Sequence, residues 1–341
     1  LHEMTQIKGD EETHPLLSPE DEFADFETWD VSNLSGTAPK TEEMLQYEYA
    51  RSALRTGLKI EKEVGANPYK FGMTGTTDTH TALATTREEN YFGKYAATEP
   101  SANRHNNEVI PSDNPDLRIL TSQESASGLT AVWARENTRR DIFDALARKE
   151  VYATTGTRIR VRVFAGWDFK PKDANSPDFA STGYNHGVPM GGDLRQAPKG
   201  KAPSFMIRAL RDPDGANLDR IQVIKGWLDA RGKTHERIYD IAVSDDRKID
   251  KSGRVKTPVG NTVDAEKATY TNTIGSPLLV AHWEDPDFDP AEHAFYYVRV
   301  LEIPTPRWTT YDAAFYKIKR PTNVPATVQD RAYTSPIWYT P

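Results

Sequence analysis

Hydrophobic and polar positions follow two regimes along the chain. Up to about residue 157, apolar residues recur at helical spacing between polar loops; beyond it they alternate with a period of two. In the stretch 41–64, Tyr47, Ala50, Leu54 and Leu58 recur at spacings of three and four. This predicts one helix with a single buried stripe. Thr41 suits its N-cap, Glu42 and Glu43 its first turn, and Gly65 its C-cap, with Pro68 blocking continuation. A strand is expected across YKFGMTG (69–75). A second helix-to-strand unit is expected in NTRRDIFDALARKEVYATTG (137–156), where Thr138 and Asp141 have capping-box spacing and Ile142, Phe143 and Leu146 form the apolar face. Residues 1–9 read as a strand turning at Gly9, 10–30 as an irregular acidic loop, and 91–127 as a long polar loop of functional or mobile character.

Beyond the change of regime, RIRVRVFAGW, SFMIRAL, DRIQVIKGWLD, HERIYDIAV and AFYYVRVLEI each read as strands, separated by turn signals such as DPDG. No strong helix is predicted after residue 150. The expected organisation is an α/β portion over 1–157 and an antiparallel β-sandwich over 158–341, without internal repeats.

Composition narrows the function classes. The 341-residue chain has a net charge of −7 and no dense Lys/Arg block, which sets nucleic acid aside. No apolar run approaches the roughly 20 residues that span a bilayer. With 0 cysteines, disulfides, thiolate metal sites and a Cys nucleophile are excluded, so any metal must be held by His, Asp or Glu. There is no G-x-S-x-G, and the glycine-rich GYNHGVPMGGD (183–193) lacks a P-loop lysine. EDPDFDP (284–290) offers hard oxygen ligands for calcium but reads equally as a rigid acidic turn.

The chemistry concentrates in FGMTGTTDTH (71–80). If the strand continued to its end, Asp78 and His80 would project from one face. A carboxylate beside an imidazole suits Zn²⁺, Mn²⁺ or Fe²⁺, two or more of which could activate water and clamp an oxyanion. The competing reading makes Asp78 a helix cap and His80 its packing partner. Thr77 is small enough to admit a substrate closely. Arg87, Asn90 and Lys94, with Glu89 between them, follow as candidate contacts to an anionic substrate, or as a salt-bridged surface segment. Glu12 and His14 are candidate catalytic residues from a neighbouring loop, as is Arg158 just after TTG. Glu3 and His105 are weaker candidates, His105 on the long polar loop that could act as a lid.

FGMTGTTDTH resembles the last metal-binding motif of the PHP superfamily. Together with GLTAVWARENTRRDIFDALARKEVYATTGTRI, AFYYVRVLEIPTPRWTTYDA and RAYTSPIWYTP, the longer stretch TTDTHTALATTREENYFGK resembles the DUF3604 family of bacterial PHP-like proteins over most of residues 1–341. The resemblance implies metal ligation by Asp78 and His80, a distorted β/α barrel, and hydrolysis of phosphate esters on a small anionic substrate. PHP barrels open with an H-x-H strand, and none occurs here. Residues 1–157 are therefore expected to be the C-terminal portion of a barrel, whose N-terminal half belongs to the same gene product or an associated chain. The alternatives are amidohydrolase-like C–N or ester cleavage, or a non-catalytic β module that binds glycans or a partner. The resemblance leans to the periplasm.

Overall fold

The computed structural model describes residues 1–341. Strand β1 (His2–Gln6) turns through Lys8 into β2 (Gly9–Asp10), and an irregular segment leads to α1 (Glu42–Leu45) and α2 (Ala50–Val64). Strand β3 (Met73–Gly75) returns parallel to β1, giving a small sheet of order β2-β1-β3. Residues 76–128 are coil with short 3₁₀ turns and one hairpin, β4 (Glu108–Ile110) and β5 (Ile119–Leu120). Strand β6 (Leu129–Val132), α3 (Arg139–Ala147) and β7 (Val151–Thr154) follow. The remainder comprises β8 (Arg160–Gly166), α4 (Pro171–Asn175), α5 (Phe179–His186), β9 (Gly187–Pro189), β10 (Asp193–Arg195), β11 (Ser204–Leu210), β12 (Leu218–Leu228) and β13 (Thr234–Val243). It closes with β14 (Leu278–Glu284), β15 (His293–Glu302), β16 (Thr305–Pro306), α6 (Trp308–Tyr316), β17 (Thr327–Val328), β18 (Arg331–Thr334) and β19 (Ile337–Thr340).

Two sheets carry the core. A four-stranded sheet of order β14-β11-β8-β9 faces an eight-stranded sheet in which β12 and β15 form the long antiparallel centre. Alternation explains the packing: Val161 and Val163 of β8 and Ile207 of β11 turn inward against Ile221, Val223, Val298 and Val300 of the large sheet. The opposite face of the large sheet is covered as well. Ile224, Phe295, Tyr297, Tyr333 and Trp338 meet Leu54 and Leu58 of α2, Met4 of β1 and Met73 of β3. The large sheet is thus a middle layer, and its central strands are buried on both faces. Strands from either side of residue 157 share it, because β7 pairs with β6 on one edge and β18 on the other.

The fold is mixed α/β, with several sheets and few helices, and none of the sheets closes into a barrel. The helix expected over 41–64 is broken. Tyr49 is extended, and the amides of Ala50 and Arg51 donate to the carbonyls of Glu11 (2.8 Å) and Glu12 (3.0 Å). These tertiary acceptors satisfy the orphan donors of a new N-terminus at Ala50 and leave Tyr47 84% exposed. Ala50, Leu54 and Leu58 are buried as expected, and Gly65 ends the helix in the left-handed conformation, its amide 2.9 Å from the Glu61 carbonyl. Thr138 caps α3 through the Asp141 amide at 3.1 Å, although Phe143 points to solvent. Three helices lie beyond residue 150, where none was expected; α6 arises because the buried ring of Trp308 docks on Tyr91. No helix is long and apolar enough to cross a membrane.

A buried ion cluster holds the irregular N-terminal segment onto the large sheet. Glu12 accepts from Arg51 (2.6 Å), Tyr297 (2.6 Å) and Arg299 (2.7 Å), while Asp21 accepts from Arg299 at 2.7 Å and pairs with Arg51 at 2.8 Å. Both carboxyls are held below their usual range. Burial alone would raise them, and the two guanidiniums together overcome it.

Candidate functional site

The side chains of Asp78 and His80 do converge, but not by strand alternation. Strand β3 ends at Gly75, and the chain turns through a left-handed Asp78 (φ +51°). Short polar residues tolerate that region better than branched ones. The turn brings His80 Nε2 to 3.2 Å from Asp78 Oδ1. The backbone then locks: the His80 amide donates to the Lys94 carbonyl (2.7 Å), and the Lys94 amide donates to the Thr98 hydroxyl (2.7 Å). The loop is therefore clamped to the segment that supplies Lys94.

Two ammonium groups face this pair. Lys94 Nζ donates to Asp78 Oδ2 at 2.5 Å and to the Asp78 carbonyl at 2.8 Å, and stands 3.4 Å from His80 Nε2. Lys8, from the turn between β1 and β2, reaches the same carboxylate oxygen. Glu3 on β1 completes the periphery by accepting from the Thr76 hydroxyl and from Gln6 (3.1 Å). Burial, with Lys94 beside it, pushes the Lys8 ammonium down to about 8. Burial likewise lowers Lys94. Asp78 is partly buried and His80 is exposed, so the cluster opens to solvent on the imidazole side. Lys8 also lines an open cavity of about 590 Å³ with His2, Trp29, Tyr49, Tyr69 and Phe71.

Asp78 and His80 offer one oxygen and one nitrogen donor of the kind that suits Zn²⁺, Mn²⁺ or Fe²⁺. No group of three or more His, Asp or Glu side chains is arranged to hold an ion. The pair therefore fits part of a coordination sphere. The positive charge facing Asp78 comes from the two lysines.

The other sequence candidates are distributed around the fold. Lys94 belongs to the cluster. Thr77 lies within it in sequence, its hydroxyl 3.4 Å from that of Thr79. Asn90 is exposed at the end of a 3₁₀ turn. Glu12 lies in the buried ion cluster. His14 is buried, 3.0 Å from Asp30 Oδ2 and packed on Tyr49. Arg87 lines a different cavity, and Arg158 bonds two of that cavity's acids: Arg87 pairs with Glu89 and donates to the Asp214 carbonyl, while Arg158 bonds Asp212 at 3.2 Å and Asp214 at 2.5 Å. Lys8 went unrecognised, since a lone turn lysine carries no sequence signal. Only the parallel pairing of β1 with β3 places it beside Asp78.

The chain belongs to the family described as protein of unknown function (DUF3604), whose model matches residues 1–341. No curated protein matches it.

Proposed function

We propose that the chain carries part of a hydrolytic site of phosphoesterase type, with Asp78 and His80 as ligands of a divalent transition metal and Lys8 and Lys94 as the anion-binding groups. The observation that supports this is the convergence of two ammonium groups, both lowered by burial, on a carboxylate–imidazole pair beside an aromatic-lined cavity. In the PHP-like reading, the parallel pair β1 and β3 is this chain's contribution to a barrel, and further ligands come from outside the cluster. A bound divalent metal supplies Lewis acidity and a water that ionises near neutral pH.

The chain's own residues do the rest. Lys8 and Lys94 neutralise the anionic group of the substrate, which takes the place Asp78 Oδ2 now holds on each ammonium. Asp78 orients the His80 imidazole through the 3.2 Å contact. The rings of Trp29, Tyr49 and Phe71 receive the organic part of the ester. Cleavage of amides or carboxylic esters by the same groups is distinguished by a substrate series.

Elemental analysis after dialysis against Zn²⁺ or Mn²⁺ tests the ligand assignment. The expected result is near-stoichiometric metal in the wild type and loss of it in Asp78→Asn and His80→Ala. Equal metal content in the variants, or none in the wild type, rejects it.

A further inference from the structure

A second cavity, of about 370 Å³, lies between the Thr86–Glu89 loop and the ends of β15 and β18. Four buried carboxylates line it: Glu88, Asp212, Glu302 and Asp330. Their partners differ. Asp212 is neutralised by Arg158 and accepts from the amides of Arg158 (2.9 Å) and Asp214 (3.0 Å). Glu88 accepts from the Trp308 amide, and the nearby Arg307 guanidinium is already committed to Glu27. Asp330 accepts from the Thr155 hydroxyl at 2.6 Å. Glu302 is 1% exposed, and its Oε1 has no hydrogen-bond partner. The Thr157 hydroxyl lies beside its carboxyl and, with the Ala216 amide, favours the ionised form. No Lys or Arg forms an ion pair with Glu88, Glu302 or Asp330.

A buried carboxylate oxygen without a partner is costly. Burial raises the carboxyls of Glu88, Glu302 and Asp330, which favours their protonated form while no cation faces them. A cation that donates hydrogen bonds fits such a lining by displacing the protons these carboxyls retain. A bare metal ion suits the place poorly, because no three of these groups are arranged around one point and the cavity far exceeds an ion in size. Tyr270 and Tyr311 line the same cavity, and aromatic faces attract organic cations.

We infer that this cavity is a binding site for an organic cation, the ammonium or guanidinium group of a small molecule, which donates to Glu302 Oε1 and Asp330 and lies against Tyr270 and Tyr311. The site shares no residue with the Asp78 cluster and does not depend on the hydrolytic reading. Arg87 and Arg158 are each held by other acids, Glu89, Asp212 and Asp214, and form no ion pair with Glu88, Glu302 or Asp330.

Isothermal titration calorimetry of the full chain with agmatine and with putrescine tests this, with calcium chloride as the comparison. Saturable binding of at least one amine is expected, weakened at least tenfold in Glu302→Gln. Asp330→Asn, which keeps an acceptor for Thr155, is the second variant and should weaken binding similarly. Circular dichroism establishes that each is folded. The inference is overturned if neither amine binds, if affinity is unchanged in the folded variants, or if calcium binds and excludes the amine, which would make this a metal site.

Discussion

The Lys94 ammonium reaches both the carboxylate of Asp78 (2.5 Å) and the carbonyl of the same residue (2.8 Å). One side chain thus holds the left-handed turn and neutralises the group it presents. Lys94→Met removes both contacts. Its expected effect is a loss of turnover of at least about 100-fold, in line with removal of one charged group that stabilises developing charge. Lys94→Arg, which keeps the charge but not the compact geometry, should recover only part of it. Steady-state kinetics on a phosphomonoester series checks both variants; wild-type turnover in Lys94→Met rejects the role.

Lys8 predicts a pH dependence. Burial, with the Lys94 ammonium beside it, pulls it down to about 8 from the ordinary 10.5, while the Asp78 carboxylate opposes that loss of charge. Affinity for inorganic phosphate should fall about tenfold between pH 7 and pH 9, and Lys8→Met should flatten that profile. Stability moves the other way. The unfolded chain keeps this proton up to about pH 10.5, so between pH 8 and 10.5 it binds more protons than the folded chain. This group's contribution to stability therefore rises with pH across that window. Calorimetric titration and urea unfolding over the same pH range measure the two effects.

The buried cluster of Glu12, Asp21, Arg51 and Arg299 predicts large losses on truncation. Arg299→Met leaves two buried carboxylates facing one guanidinium. The expected cost is about 3–5 kcal/mol, read from urea unfolding. Because both carboxyls are lowered in the folded state, their stabilisation is present above the unfolded carboxylate range near pH 4. It is lost as pH falls below that range, so the wild type should unfold in acid. In Arg299→Met the acid sensitivity should shrink along with the stability at pH 7.

Gly156 sits where the end of β7 touches the Thr86 segment. Its φ is +126°, and a Cβ there would fall 2.0 Å from the Thr86 carbonyl oxygen. Gly156→Ala is expected to cost more than about 2 kcal/mol, since it adds backbone strain to a backbone clash. It should also separate the loop carrying Glu88 from Glu302, so thermal unfolding and amine binding should decline together.

The long strands β8, β11, β12, β13 and β15 were legible as alternating or apolar runs bounded by turns, whereas β14 and the short strands β9, β10, β18 and β19 went unread. Residue pattern could not show that α2 starts at Ala50, because its cap comes from the carbonyls of Glu11 and Glu12, distant in sequence. The same limit applies to the sites. The D-x-H pair could be read from residue types two apart. Its lysine partner Lys8 lies 70 residues away from Asp78 and is delivered by strand pairing. Arg87 and Arg158 were grouped with Asp78 on charge and on their places after the D-x-H segment and after TTG, whereas the acids at 89, 212 and 214 hold them elsewhere. Glu302 and Asp330 sit in strand-end sequences whose pattern says core or turn, and only the fold buries them side by side.

The central claim is that Asp78 and His80 work in a hydrolytic centre. The most direct measurement is the rate of phosphate-ester hydrolysis by the protein supplied with Zn²⁺ or Mn²⁺, compared with Asp78→Asn and His80→Ala under identical conditions. The account predicts metal-dependent turnover in the wild type, reduced at least about 1,000-fold in both folded variants. Turnover that persists unchanged in either variant, or its absence from a metal-loaded wild type, would contradict it.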